Sequence, residues 1–288
     1  MSDTSTNSAT VPTPPMRERV LRAGHGMGMV DFDELWRYRE LFGFLIWRDI
    51  IVRYKQAVLG ITWAVLQPVL TVAIFTFILG YLAKIPSGGQ PYVVLAMAGL
   101  LPWNYFAAAM GESSNSVVGA ARIITKVYFP RLIIPLSTAM NGILDFCIGC
   151  GLLFTLMLWN AVPFTWYLLL IPPFFVCAVI AAMAIGLWMS ALSVRFRDVK
   201  YIVPFFTRIG IYASPVAFSS ALVPEKWRLL YSLNPMVGVI DGFRWAVFGA
   251  EFQPYWPGFA LSMGIVVLLF VSGMYFFKTM ERSFGDLI

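Results

Sequence analysis

This 288-residue chain has few charged or reactive side chains: Asp, Glu, Lys and Arg make up 12% of it, with one histidine and three cysteines. His25 stands alone in a Gly-rich polar stretch, so neither a His-based triad nor a multi-histidine metal site is available. Cys147-Ile-Gly-Cys150 spells CxxC, but no second ligand pair completes a tetrahedral site, and these thiols and Cys177 read as small packing residues. No Gly-Lys dipeptide occurs, which excludes the G-x-x-x-x-G-K-[ST] loop that cradles nucleotide phosphates. The first 55 residues contain no apolar core of a cleavable signal, so the first membrane span is expected to serve as the targeting signal. No internal repeat is visible, which argues against an inverted-repeat transporter.

Apolar surface is what the chain has. Hydrophobic residues make up 59% of it, with a mean hydropathy of +0.75, more than a soluble domain of this length could bury. Six bands are long enough to cross a bilayer core: residues 60–82, 93–110, 132–159, 166–192, 201–218 and 256–277. The connectors between them alternate in basic charge. Sixteen Lys and Arg fall before the first band, in the second and fourth connectors and after the last band; Lys84, Lys226, Arg228 and Arg244 are the four on the other side. By the positive-inside rule both termini are cytoplasmic and the chain is a multi-pass protein of the cytoplasmic membrane. The net charge of +6 is then explained by anionic lipid headgroups, with no nucleic-acid site implied.

Three domains follow. Residues 1–30 are rich in Ser, Thr and Pro at their start and predict a disordered cytoplasmic tail. Residues 31–56 predict an amphipathic helix, with Asp31 as its cap and aromatic residues mixed with Arg37, Arg39, Arg48 and Arg53, suited to the headgroup layer or to a coiled partner helix. Residues 57–288 hold the spans. Pro68 should kink the first span. The polar run Glu112 to Ser116 is either already cytoplasmic or part of a second span that continues as a long helix with a polar face turned from lipid, and the long helix is the preferred reading. The connector 219–255 is too apolar for a solvated loop, and Pro224 and Pro235 divide it, so it predicts either two short helices re-entering the outer leaflet or an amphipathic lid. Trp166, Tyr255 and Trp256 at span ends read as interfacial belt residues.

Two charges fall inside bands. Asp145 lies near the middle of the third and Arg208 in the fifth, so a buried Asp145–Arg208 pair is one expectation; a protonated Asp145 and a snorkelling Arg208 are the other. Asp241 and Arg244, three apart, read as a helix-surface pair.

The most specific segment is ITKVYFPRLIIP at 124–135, which joins two charges, aromatics and a proline break. With RYKQAVLGITWAVLQP (53–68), GLLPWNYF (99–106), VRFRDVKYIVPF (194–205), SPV (214–216) and LNPMVGVIDGFRWAVFG (233–249), it closely resembles, in order, the membrane subunits of type 2 polysaccharide ABC exporters, the permeases for O-antigen, capsule and teichoic acid. The resemblance implies an all-α permease with six spans, an N-terminal interface helix and two re-entrant helices in the last external loop. It implies a homodimer served by two copies of a cytoplasmic ATP-binding subunit, which holds ATP and its magnesium; the permease itself needs no cofactor and is not an enzyme. Arg122, Lys126, Tyr128, Phe129 and Arg131, with Arg195, Arg197 and Asp198 at the other cytoplasmic turn, match the segments that would couple to that subunit. The first and fifth spans would line the channel at the dimer interface, which makes Trp63, Phe75, Phe77, Tyr81, Phe205, Phe206 and Tyr212 lining candidates for a lipid-linked polysaccharide. Sugar C–H faces stack on aromatic planes without requiring one order of hydroxyls, although aromatics are also ordinary belt and packing residues. The alternatives are an exporter of a small lipid or drug, and a membrane transferase acting on lipid-linked sugars; the latter has only Glu225, Asp241 and Glu251 as acids in the external loop.

Overall fold

The computed structural model describes residues 32–55, 60–124, 126, 129–281 and 283–284. The expected tail, residues 1–30, lies outside the described residues. Helices make up all the regular structure described. Two come first, α1 (Phe32–Arg37) and α2 (Arg39–Lys55), with a break at Tyr38 where one continuous helix was expected. On α2, Phe44, Trp47 and Val52 are exposed beside Arg48 and Arg53, while Leu45 is buried. That mixture suits a helix lying in the headgroup layer.

A helix that is apolar on every side belongs in the middle of a bundle. α4 (Tyr92–Gly119) takes that place, with 78% of its most apolar stretch buried. It packs against α3 (Gly60–Phe75), α6 (Ile133–Met140), α7 (Ile143–Trp159), α8 (Ile171–Arg195), α9 (Val199–Ala213) and α11 (Pro235–Phe248). Its 28 residues include the polar run as expected: Ser113, Ser114 and Ser116 are buried, and the Ser114 and Ser116 hydroxyls donate to the Gly111 and Ser113 carbonyls at 2.8 and 2.7 Å. On the other side of α8 lies α12 (Trp256–Glu281). Lipid tails are as apolar as a protein core, so such helices are held by close packing rather than by escape from water. Accordingly α8 turns Ala178, Ala181, Ala182, Gly186, Ser190 and Ala191 inward, small residues that let α4 and α12 approach.

Among the described residues five helical stretches are long and apolar enough to cross a membrane, and the fifth band is not among them. α9 has 15 residues, about 22 Å of helix against a core of about 30 Å, and it stops at Ala213 rather than running to Phe218. The cause is local. Ser214 precedes a proline and is driven to extended geometry (φ −114°, ψ 155°), where a helix cannot continue. Ser214, Pro215 and Val216 are nevertheless buried. The third band is broken at Asn141 and Gly142 into α6 and α7. The first band runs helically through Pro68 and ends in a π-helical segment, Thr76–Leu82.

Between α9 and α12 the chain forms α10 (Glu225–Tyr231) and α11, the two short helices expected. α11 opens on an Asn234 side chain that accepts from the Met236 amide at 3.0 Å, with Pro235 in the first turn, and it is buried along most of its length.

Candidate functional site

Three surfaces carry the residues singled out in the sequence. On the side expected to be cytoplasmic, α5 (Ala121–Ile124) and the segment after it follow α4. Arg122 and Lys126 are exposed; Tyr128 lies outside the described residues. Phe129 was expected as an exposed contact, but it is buried in a small cluster with Leu45, Ile133 and Ile134, beneath α2. Its ring therefore seats the amphipathic helix on the segment 129–134. Arg131 turns inward as well: its Nη1 donates to the Glu281 carbonyl at 2.6 Å, its backbone N–H donates to the Glu281 carboxylate at 3.2 Å, and its guanidinium lies 5.9 Å from the Phe284 ring centre. A cation at the carbonyl end of α12 is favourably placed. Arg195, Arg197 and Asp198 are exposed at the α8–α9 turn, where Arg195 lies over Phe196 and Lys200 over Tyr201.

The second surface is aromatic. Trp63, Phe77 and Tyr81 on the first band and Phe205, Phe206 and Tyr212 on α9 are all exposed. Phe77 and Tyr81 stack at 6.0 Å, and Phe205 meets Phe206 edge-on at 6.1 Å. Phe75 differs, being half-buried against the main core. Both helices pack on α4, and little of either is covered within the subunit: only 6% of the first span's most apolar stretch is buried.

The third is a pair of polar networks, neither as expected. Asp145 does not pair with Arg208, which is exposed on α9. It lies in the first turn of α7, just after the Asn141–Gly142 break, and accepts from Arg53 Nη1 at 3.0 Å and from the Tyr54 hydroxyl at 2.6 Å. The other arm of Arg53 holds Glu112 of α4, whose second oxygen accepts from Asn141 Nδ2 at 3.2 Å. Burial, then the bond to Asp145, pushes the Tyr54 phenol up to about 12, so it remains a donor across the physiological range. The Arg53, Tyr54 and Glu112 roles were missed in the sequence, because their partners stand 92, 91 and 59 residues away.

The second network corrects the Asp241–Arg244 reading. That pair is interior: Arg244 is 0% exposed and Asp241 4%. Arg244 donates to the Phe218 and Val216 carbonyls at 2.8 and 3.0 Å and stands 3.9 Å from Asp241, which accepts from Ser220 at 2.6 Å. It thereby ties the irregular chain after α9 to α11. Gly99 of α4 makes room, since a Cβ there would come within 2.5 Å of the Val216 carbonyl oxygen. Tyr92 adds a bond to the Ala217 carbonyl at 2.6 Å.

Comparison with known proteins adds the following. Residues 40–248 match the family model described as ABC-2 type transporter. The chain is 27% identical over 258 residues to an O-antigen export system permease protein RfbA of Myxococcus xanthus, covering 88% of this chain and 98% of that protein. It is 28% identical over 242 residues to an RfbA of Klebsiella pneumoniae (84% and 92%) and 25% identical over 253 residues to the polysialic acid transport protein KpsM of Escherichia coli (83% and 93%). Helices of spanning length, a buried central helix and a match across most of the bundle lead to one assignment: the chain belongs to the ABC-2 type transporter family.

Proposed function

We propose that this chain is the transmembrane subunit of an ATP-driven exporter that moves lipid-linked polysaccharide across the cytoplasmic membrane, through a channel between two copies of itself. The observation that carries the substrate class is the alignment, over more than four-fifths of the chain, with permeases named for O-antigen export and polysialic acid transport. In this reading α9 is a short fifth of six spans, both termini are cytoplasmic, and α10 and α11 re-enter the outer leaflet. Two copies of a separate ATP-binding subunit, with ATP and magnesium, dock on the side of Arg122, Lys126 and the Arg195–Asp198 turn. The first span and α9 face the second copy, so the exposed aromatic side chains of both helices line the path. A polymer cannot be enclosed and released as a small solute is. Stacking on sugar faces lets it advance stepwise without a fixed sequence of hydroxyls, and the Arg244-tied segment with α11 closes the outer end between substrates.

Deleting the gene should abolish polymer at the cell surface and leave lipid-linked polymer inside, measured by surface staining and by lipid extraction. Unchanged surface glycan without internal accumulation would rule the function out.

A further inference from the structure

The joint between the amphipathic helix and the first span is where three separate elements meet on one side chain. Arg53, in the last turn of α2, directs one guanidinium nitrogen to Asp145 of α7 and the other to Glu112 of α4. Tyr54 holds the second oxygen of Asp145, and Asn141, at the α6–α7 break, holds the second oxygen of Glu112. All four carboxylate oxygens are thus engaged, and the fork of an arginine is the side chain suited to bridge two acids at once. At its other end α2 rests on the coupling segment, through Leu45 against Phe129, Ile133 and Ile134. A continuous chain of contacts therefore runs from the segment beside the ATP-binding subunit, along α2, to two spans of the bundle.

We infer that Arg53 is a positioning residue for transport: it makes α2, α4 and α7 move as one body, so that displacement of the coupling segment reaches the spans instead of being absorbed at the joint. This rests on the proposed function for what is moved, and on the ion-pair geometry for the link itself. The partners are partly exposed, so their contribution to stability is modest. Their use lies in transmitting motion, and a physical path of this kind requires a direct test of coupling.

The test is made on the complex of permease and ATP-binding subunit reconstituted in vesicles, comparing export per ATP hydrolysed. Arg53→Gln is expected to assemble and hydrolyse ATP yet export about fivefold less per ATP. Arg53→Lys, a single point charge without the fork, should fall between. The exchange Arg53→Glu with Asp145→Arg should recover part of the loss, because the relocated guanidinium on α7 would face both the carboxylate introduced on α2 and that of Glu112. A second arm needs no polysaccharide: with Cys147, Cys150 and Cys177 replaced by Ala, spin labels at Trp47→Cys and Trp159→Cys report the spacing of α2 and α7. Constant spacing with and without trapped nucleotide in the parent, and a nucleotide-dependent shift in Arg53→Gln, supports the link even if the cargo proves different. Loss of assembled complex with export per ATP unchanged, or identical distance distributions in parent and variant, overturns it.

Discussion

Arg244 brings a full charge to a place with no exposed surface, where only two backbone carbonyls and one carboxylate meet it. Removing one member of such a pair leaves the other buried and uncompensated, so Arg244→Met should destabilise the chain by about 3–5 kcal/mol, with Asp241→Leu in addition recovering part of it. Thermal unfolding of the purified protein in detergent reads this. Burial raises the Asp241 carboxyl to about 6 against the opposing pull of Arg244 and Ser220. The folded chain thus holds that proton at a higher pH than the unfolded chain does. Its contribution to stability is complete below about pH 4 and is lost as pH rises through about 6. Asp241→Asn, which does not titrate, should therefore gain on the parent by about 1–3 kcal/mol between pH 4 and pH 7 in the same melting measurement. An i,i+3 acid–base pair reads the same in sequence whether it faces solvent or the interior. What distinguishes this one is its surroundings, the apolar run from Met236 to Phe248, and that signal was legible.

At the scale of elements, five of the six bands and their order were readable among the described residues, because hydropathy and length are summed over some twenty residues. Their ends were not, because a helix terminus depends on one or two residues. Pro215 is the informative case: the apolar run continues to Phe218, whereas the helix stops before the proline. The Arg53 bridge was hidden for another reason, since nothing local in RYKQ names Glu112 or Asp145. The aromatic elements separate by burial. Tyr81→Ala and Tyr212→Ala remove exposed rings and should leave stability within about 0.5 kcal/mol while slowing export. Phe75→Ala cuts into packing and should cost about 1–3 kcal/mol, so its export defect would follow protein level. Melting midpoint and export rate, measured on the same preparations, test the split. The proposed coupling segment divides likewise. Lys126→Glu should weaken co-purification of the ATP-binding subunit and leave the melting midpoint unchanged, whereas Arg131→Glu should also lower the midpoint, because it detaches the end of α12 from its cation.

At the scale of the molecule, the proposed fifth span is shorter than the membrane it would cross. α9 offers about 22 Å where the hydrocarbon is about 30 Å thick, and the chain beyond its end is sheltered by protein and held by Arg244 rather than extended into lipid. In the proposed dimer α9 borders the path, so lipid at the rim of the interface would thin to meet its end, at a cost of a fraction of a kcal/mol for each ångström of mismatch. The permease would carry with it a dimple in the bilayer at the rim of that interface. A polar headgroup crossing there has a shorter distance to travel. Transport should for this reason depend on acyl-chain length: vesicles of short-chain phosphatidylcholine are expected to support faster export per ATP than vesicles of long-chain phosphatidylcholine at equal protein content, and bilayer thickness becomes a working part of the transporter.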